Sequence, residues 1–401
     1  MPHRPPMGWN SWNFFGPGVS DRVLRETADA LVATGLRDLG YRYLVVDDHW
    51  HGGRNDDGAL FAHPERFPAG IAPLADYCHE RGLLFGIYSC AGNRTCGREP
   101  GSFGFEERDA ASFASWGVDF LKYDFCFVPP DRDEAFRRYR AMGDALRRCG
   151  REILFSAAEW GACQGYVWAR DTGARMWRTT LDLVDYWDEP RIHTNRGNSI
   201  LTILDLQDGL ERYQSPEGFN DPDMLVVGLQ GKGHLGLALS RRPLKPGCTD
   251  REYRSHMSLW CLLAAPLMLG CDVRDLSPAT LETLSNRELL AIDQDPLCLP
   301  CRRIRQGPIF SVYWKPLADG SVAVGILNRS PWRAVFEAQP GTLLHPEEPG
   351  SAGPAGPAGP VRIRDVWAHA DLALPADPSV PVRWTVESHE TRVMILGEVR
   401  A

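Results

Sequence analysis

The sequence predicts an α/β chain: a (β/α)8 TIM barrel over residues 1–296, followed by a C-terminal antiparallel β-sandwich over 297–401. Three observations lead there. Strand-like apolar runs alternate with amphipathic helical patterns through the first part, as in a parallel sheet with crossover helices. Polar residues cluster just after each predicted strand. Beyond about residue 296 the pattern changes to short alternating runs separated by turns.

The strands read, in order, "YRYLVVDD" (41–48), "LLFGIYSCAG" (83–92), "VDFLKYDFC" (118–126), "EILFSAAEW" (152–160) and "DMLVVG" (223–228). Between them, residues 20–40 carry helical periodicity with Ser20 placed as an N-cap, and 131–150 repeat it with Gly150 as the stop. A segment this long fits a closed eightfold barrel with insertions better than an open sheet. Closure also gives the polar residues a common purpose. Asp47 and Asp48, Tyr88, Asp124, and Glu159 with Trp160 all follow or end strands, and a barrel gathers its strand ends at one mouth. An open sheet would bring together only those near one switch point.

The second region reads "PIFSVYWKPL" (308–317), "SVAVGILNRS" (321–330), "WRAVFEAQ" (332–339) and "TRVMILGEV" (391–399), the alternation of a sandwich. Within it "PGSAGPAGPAGP" (349–360) is far too short for a collagen helix and predicts a surface loop.

Composition narrows the function. With 43% hydrophobic and 24% charged residues the chain is globular. A net charge of −8 argues against general affinity for nucleic acid or an anionic membrane, because phosphate binding needs a basic face. No stretch approaches the roughly 18 apolar residues of a membrane span. "MPHRPPMGWNSWNFF" lacks the basic start and apolar run of a signal peptide, so a cytoplasmic location is expected unless a leader has been removed. The eleven Cys lack repeated C-x-x-C pairs, and "CLPC" at 298–301 has no further zinc ligands beside it. Neither a metal nor a cofactor is expected. Oligomeric state leaves no mark in the sequence.

Candidate chemistry starts at "VVDDHWH". Two carboxylates and two imidazoles there allow a metal site, an acid/base pair or a clamp for a polar ligand. Strand alternation sends His49 to the opposite face from Asp48, which spoils a single coordination sphere. In "FLKYDFC", Lys122 and Asp124 are two apart on a strand and share a face. A neighbouring ammonium lowers a carboxylate's pKa and suits it to nucleophilic attack, although a plain ion pair has the same spacing. The carboxylate also opposes a Schiff-base role for Lys122. "MWRTTLDLVDYW" sets Arg178 and Asp182 four apart, a spacing that also fits a helical surface pair.

Seven segments taken together resemble the α-galactosidase family of retaining glycoside hydrolases (family 27), which also holds α-N-acetylgalactosaminidases. They are "MGWNSWNFFG", "VVDDHW", "GIYSCAGNRTCGREPGSFGFEERDAASFASWGVDFLKYDFC", "WRTT" with Asp182 beyond it, "GFNDPDMLVVG", "HMSLWCLLAAPLMLGCDVRDL" and "NRELLAIDQDPL", in family order up to residue 297. The resemblance implies hydrolysis of terminal α-D-galactosides, with Asp124 as nucleophile and Asp182 as general acid/base. Such a pair lies about 5 to 5.5 Å apart. Asp182 would then be buried with a raised pKa, while Asp124 stays ionised beside Lys122. It further implies that Asp47 and Asp48 accept hydrogen bonds from the sugar 4- and 6-hydroxyls and that Trp9 packs on the sugar face. Tyr88, Lys122, Arg178 and Asp223 would complete the polar shell, with Glu159 and Trp160 in the loop that reads the 2-position. Glu159 favours galactose, whereas Ala162 resembles the roomier N-acetylgalactosaminidase version. A β-L-arabinopyranosidase is opposed by Asp48, where a bulkier Glu would fill the hydroxymethyl space. Cys96 and Cys126 match positions that pair in relatives, and would be bonded or, in a reducing cytoplasm, free. His49 replaces a half-cystine of secreted relatives, and Cys90 stands where many have Asp.

Overall fold

A computed structural model describes residues 4–188, 198–234, 247–346, 361–375, 377 and 379–398. The loop expected at 349–360 lies outside the described residues. The chain forms two compact units, Met1–Cys248 with Pro266–Ser285, and Thr249–Ala265 with Asn286–Ala401.

The first unit holds eight parallel strands: β1 (Met7–Asn10), β2 (Tyr43–Val45), β3 (Leu84–Cys90), β4 (Phe120–Asp124), β5 (Leu154–Ala158), β6 (Met176–Arg178), β7 (Phe219–Asp221) and β8 (Leu267–Leu269). They pair in sequence order, and β8 returns to pair with β1. Leu225, just past β7, bridges Leu269 in parallel and closes the ring. The sheet is the expected TIM barrel. The run 223–228 forms this single bridge rather than a strand, because Pro222 removes a donor and Asp223 takes φ 89°. Strands β1, β6, β7 and β8 were not separately legible. Each is only three or four residues long, and "LML" of β8 sits inside a continuous apolar run without period.

Helices pack on the outside of the strands. In α1 (Asp21–Ala33) the Ser20 hydroxyl accepts the Val23 N–H at 3.4 Å, and Leu24, Ala28 and Leu31 are buried. In α2 (Arg132–Arg148) Asp131 accepts the Glu134 N–H at 2.8 Å, and Gly150 follows at φ 81°. Strand alternation on β4 explains the division of labour. Tyr123 turns outward, its ring edge-on to Tyr139 of α2 with centroids 5.6 Å apart, while Lys122 and Asp124 turn inward.

In the second unit, β9 (Arg302–Gln306), β10 (Phe310–Pro316), β11 (Val322–Asn328), β13 (Val361–Asp365), β14 (Ala370–Asp371) and β16 (Thr391–Glu398) form one antiparallel sheet, ordered β9-β10-β11-β16-β13-β14. A second sheet pairs β12 (Ala334–Ala338) with β15 (Val382–Val386). Val324, Ile326, Phe336, Trp384, Met394 and Leu396 fill the core, so this is the expected sandwich. Among the described residues no helix is long and apolar enough to cross a membrane.

The barrel is tight where β1 meets β2. A Cβ on Gly8 would lie 2.2 Å from the Tyr43 carbonyl oxygen and 2.6 Å from its Cβ. Gly8→Ala is therefore expected to destabilise by about 1–3 kcal/mol, read as a lower urea midpoint. An unchanged midpoint would mean that β1 and β2 can part at no cost.

Candidate active site

The carboxyl ends of the strands surround a cavity open to solvent and lined by Asn10, Trp12, Asn13, Asp47, Asp48, Tyr88, Cys96, Lys122, Asp124, Trp160, Arg178, Asp182, Asp223 and Met224. Every strand from β1 to β7 contributes at or just past its end, which is where a closed barrel carries its chemistry. The Lys122 ammonium sits 2.8 Å from Asp47 Oδ2, and Asn10 Nδ2 donates to the same oxygen at 2.7 Å. Asp48 is held from behind by backbone: its Oδ1 accepts the His49 N–H at 2.7 Å and its Oδ2 the Gly97 N–H at 2.6 Å. Asp124 is buried. Its Oδ2 accepts the Tyr88 hydroxyl at 3.0 Å, and its Oδ1 has no hydrogen-bond partner among the described residues. Arg178 spans two carboxylates, Asp182 and Asp223, at 3.0 Å each. Cys96 and Cys126 form a disulfide with Cα atoms 5.2 Å apart, which ties the loop after β3 to the end of β4.

The comparisons with known proteins give the family. Residues 4–295 match the family described as "Alpha galactosidase A", and 309–396 its "C-terminal beta sandwich domain". An α-galactosidase of Cyamopsis tetragonoloba is 41% identical over 98% of this chain and 86% of its own length. The chain belongs to the α-galactosidase family. It is an α-galactosidase-type glycoside hydrolase, and its fold is that of solved relatives. α-Galactosidase I of Mortierella vinacea superposes with a TM-score of 0.88 at 31% identity, covering 99% of this chain and 98% of that one. The α-galactosidase of Saccharomyces cerevisiae, solved with raffinose, gives 0.86 at 26% identity over 99% and 98%.

Two expected sugar contacts do not line the cavity of this α-galactosidase. Trp9 is fully buried, with its indole N–H on the Cys271 carbonyl at 2.7 Å. Alternation along β1 turns Asn10 to the cavity and Trp9 away from it, and Trp12 supplies the wall instead. Glu159 folds back into its own loop, accepting the N–H groups of Cys163 and, at 2.6 Å, Gly165. Its neighbour Trp160 faces the cavity, at φ 59°. Asn10, Trp12, Asn13 and Met224 were missed by sequence reasoning. The parity argument that paired Lys122 with Asp124 would have found Asn10; Trp12 and Asn13 sit in the one-turn helix Trp12–Phe15, and Met224 lies in a loop, where no period helps. Among the described residues Asp47, Asp48, His49 and His51 do not converge as a metal group. The one triad of metal-ligating types, Cys96, Asp124 and Cys126, has both sulfurs in the disulfide.

The electrostatics depart from expectation too. Lys122 pairs with Asp47 rather than Asp124. Its charge still favours ionised Asp124, but burial outweighs it, and with Asp47 and Asp182 nearby Asp124 is pushed up to about 7. Burial likewise raises Asp48, against the two N–H groups that hold it, and takes Asp223 to about 6 against the pull of Arg178. Asp182 is not buried as expected; its side chain is 42% exposed.

If Asp124 is the nucleophile that the family resemblance implies, it must be ionised to act, so kcat/KM should fall on an acid limb with an apparent pKa near 7. Lys122→Met should move that limb upward, because the ammonium is the largest influence favouring the charged form. Stability carries the opposite sign. The folded value lies above the ordinary 3.8, so the folded state binds more protons than the unfolded one between about pH 4 and 7, and stability is lost as pH rises through that window. Asp124→Asn should therefore raise Tm at pH 8 and not at pH 4, with an upper limit on the order of 4 kcal/mol. Equal Tm differences at both pH values would refute it.

Proposed function

We propose that this enzyme removes terminal, non-reducing α-D-galactosyl residues by double displacement with retention of configuration. The observation that carries the reading is Asp124, a buried carboxylate with one unpartnered oxygen, sharing a cavity with the solvent-open carboxyl of Asp182. Asp124 attacks the anomeric carbon while the Asp182 carboxylic acid protonates the glycosidic oxygen. The C–O bond breaks, and the galactosyl group remains as an ester on Asp124. The Asp182 carboxylate then takes a proton from water, whose oxygen attacks the same carbon and releases Asp124. The partial exposure of Asp182 suits a group that meets a leaving sugar in one half-reaction and water in the next. Arg178, between Asp182 and Asp223, holds the acid/base in place.

The Asp47–Asp48 pair supplies the sugar preference. Lys122 and Asn10 pin Asp47, while backbone N–H groups pin Asp48, so the remaining lone pairs accept from the 4- and 6-hydroxyls. Glucose, with its 4-hydroxyl equatorial, would leave a buried acceptor unpaired at a cost of about 1–3 kcal/mol. The Saccharomyces cerevisiae relative solved with raffinose supports an α-galactosyl oligosaccharide as substrate. Glu159, the expected galactose discriminator at the 2-position, turns into its own loop and does not line the cavity.

Hydrolysis of 4-nitrophenyl α-D-galactoside, α-N-acetylgalactosaminide and β-L-arabinopyranoside tests the reading. Rapid turnover of the first, lost in Asp124→Asn, is expected; preference for either other sugar would overturn the assignment. Asp182→Asn should cost raffinose hydrolysis about 10²–10⁴-fold, and the nitrophenyl substrate much less in its first step, because nitrophenolate departs without a proton. Equal losses on both would remove Asp182 from the acid role.

A further inference from the structure

The proposed reaction places one galactosyl ring in the cavity beside Asp124, and the next sugar of an oligosaccharide lies beyond the glycosidic oxygen that Asp182 would protonate. We propose that Phe127 and Arg98 form a stacking platform for that leaving-group sugar, an inference that rests on the galactosidase reading above. Of the large hydrophobic side chains exposed in the described part of the barrel unit, Phe127 is the most open, at 65%. It follows Asp124 by three residues and adjoins Cys126, whose disulfide partner Cys96 lines the cavity. Two residues beyond Cys96, Arg98 brings its guanidinium to 5.9 Å from the Phe127 ring. The disulfide thus ties both side chains to the cavity wall, while neither lines the cavity itself.

The chemistry of the pair selects the occupant. An exposed phenyl face suits the C–H face of a pyranose, and a guanidinium beside it donates to the hydroxyls on the ring edge. Both residues hold left-handed backbone, φ 57° at Phe127 and 70° at Arg98, a conformation that costs energy for non-glycine residues and persists where surrounding structure enforces it. Leu181, 37% exposed and immediately before Asp182, adds a second apolar group next to the residue that protonates the leaving oxygen. A neutral saccharide aglycone meets all of these features: an apolar ring face, hydroxyls at its edge and a covalent link that delivers it to this side of the cavity.

The test compares kcat/KM for raffinose with kcat/KM for methyl α-D-galactoside, whose leaving group has no ring to stack. In Phe127→Ala the raffinose-to-methyl ratio should fall about tenfold, through KM more than kcat, and Phe127→Trp should restore it. Arg98→Ala should lower the same ratio by a smaller factor. An unchanged ratio in Phe127→Ala overturns the platform while leaving the galactosidase reading standing. Failure of the wild type to cleave either substrate overturns both.

Discussion

Lys122 and Arg178 are what permit five carboxylates to share one cavity. Asp47, Asp48, Asp124, Asp182 and Asp223 all line it, and bare carboxylates at such density would protonate or drive the strand ends apart. The two cations divide them. Lys122 neutralises Asp47, and Arg178 stands between Asp182 and Asp223. Asp48 takes its compensation from backbone N–H groups. Asp124 is left with a single hydroxyl bond, and it is the group whose affinity for a proton rises to about 7. The carboxylate proposed as nucleophile is thus the least compensated one, which preserves its basicity. The same arrangement makes the ionised site a liability for folding above neutral pH, a cost accepted where function requires it.

Much of this was legible from the sequence, and the reasons are specific. Period-two alternation told that Lys122 and Asp124 share a face, and the structure puts both in the cavity. The longer strands, β3, β4 and β5, were readable because each carries a bounded apolar run. Loop residues were harder. Arg178 ends β6, but Asp182 lies beyond it in irregular backbone, so an i,i+4 spacing that looked helical is a contact between a strand end and a loop. Glu159 illustrates the other limit. Its position after β5 was right for a mouth residue, yet the next turn offers N–H groups closer than any ligand, and the carboxylate folds onto them. Sequence order places a residue at the mouth; only the local hydrogen-bond competition decides which way it turns.

The substitution at His49 links the clamp to the cavity wall. The His49 ring stacks on Trp12, with centroids 6.1 Å apart and planes 13° from parallel. His234 meets the same indole edge-on at 4.9 Å. An indole flanked by two imidazoles is fixed by packing rather than by a covalent bond. That arrangement needs room, and Gly97 provides it: a Cβ there would lie 2.4 Å from the His49 ring and 2.8 Å from Asp48 Oδ2. The same glycine donates its N–H to Asp48 at 2.6 Å, an approach that a side chain would obstruct. Wall and clamp therefore depend on one residue without a side chain. A change at 97 would disturb both together, whereas a change of the His49 side chain touches the wall at Trp12 first.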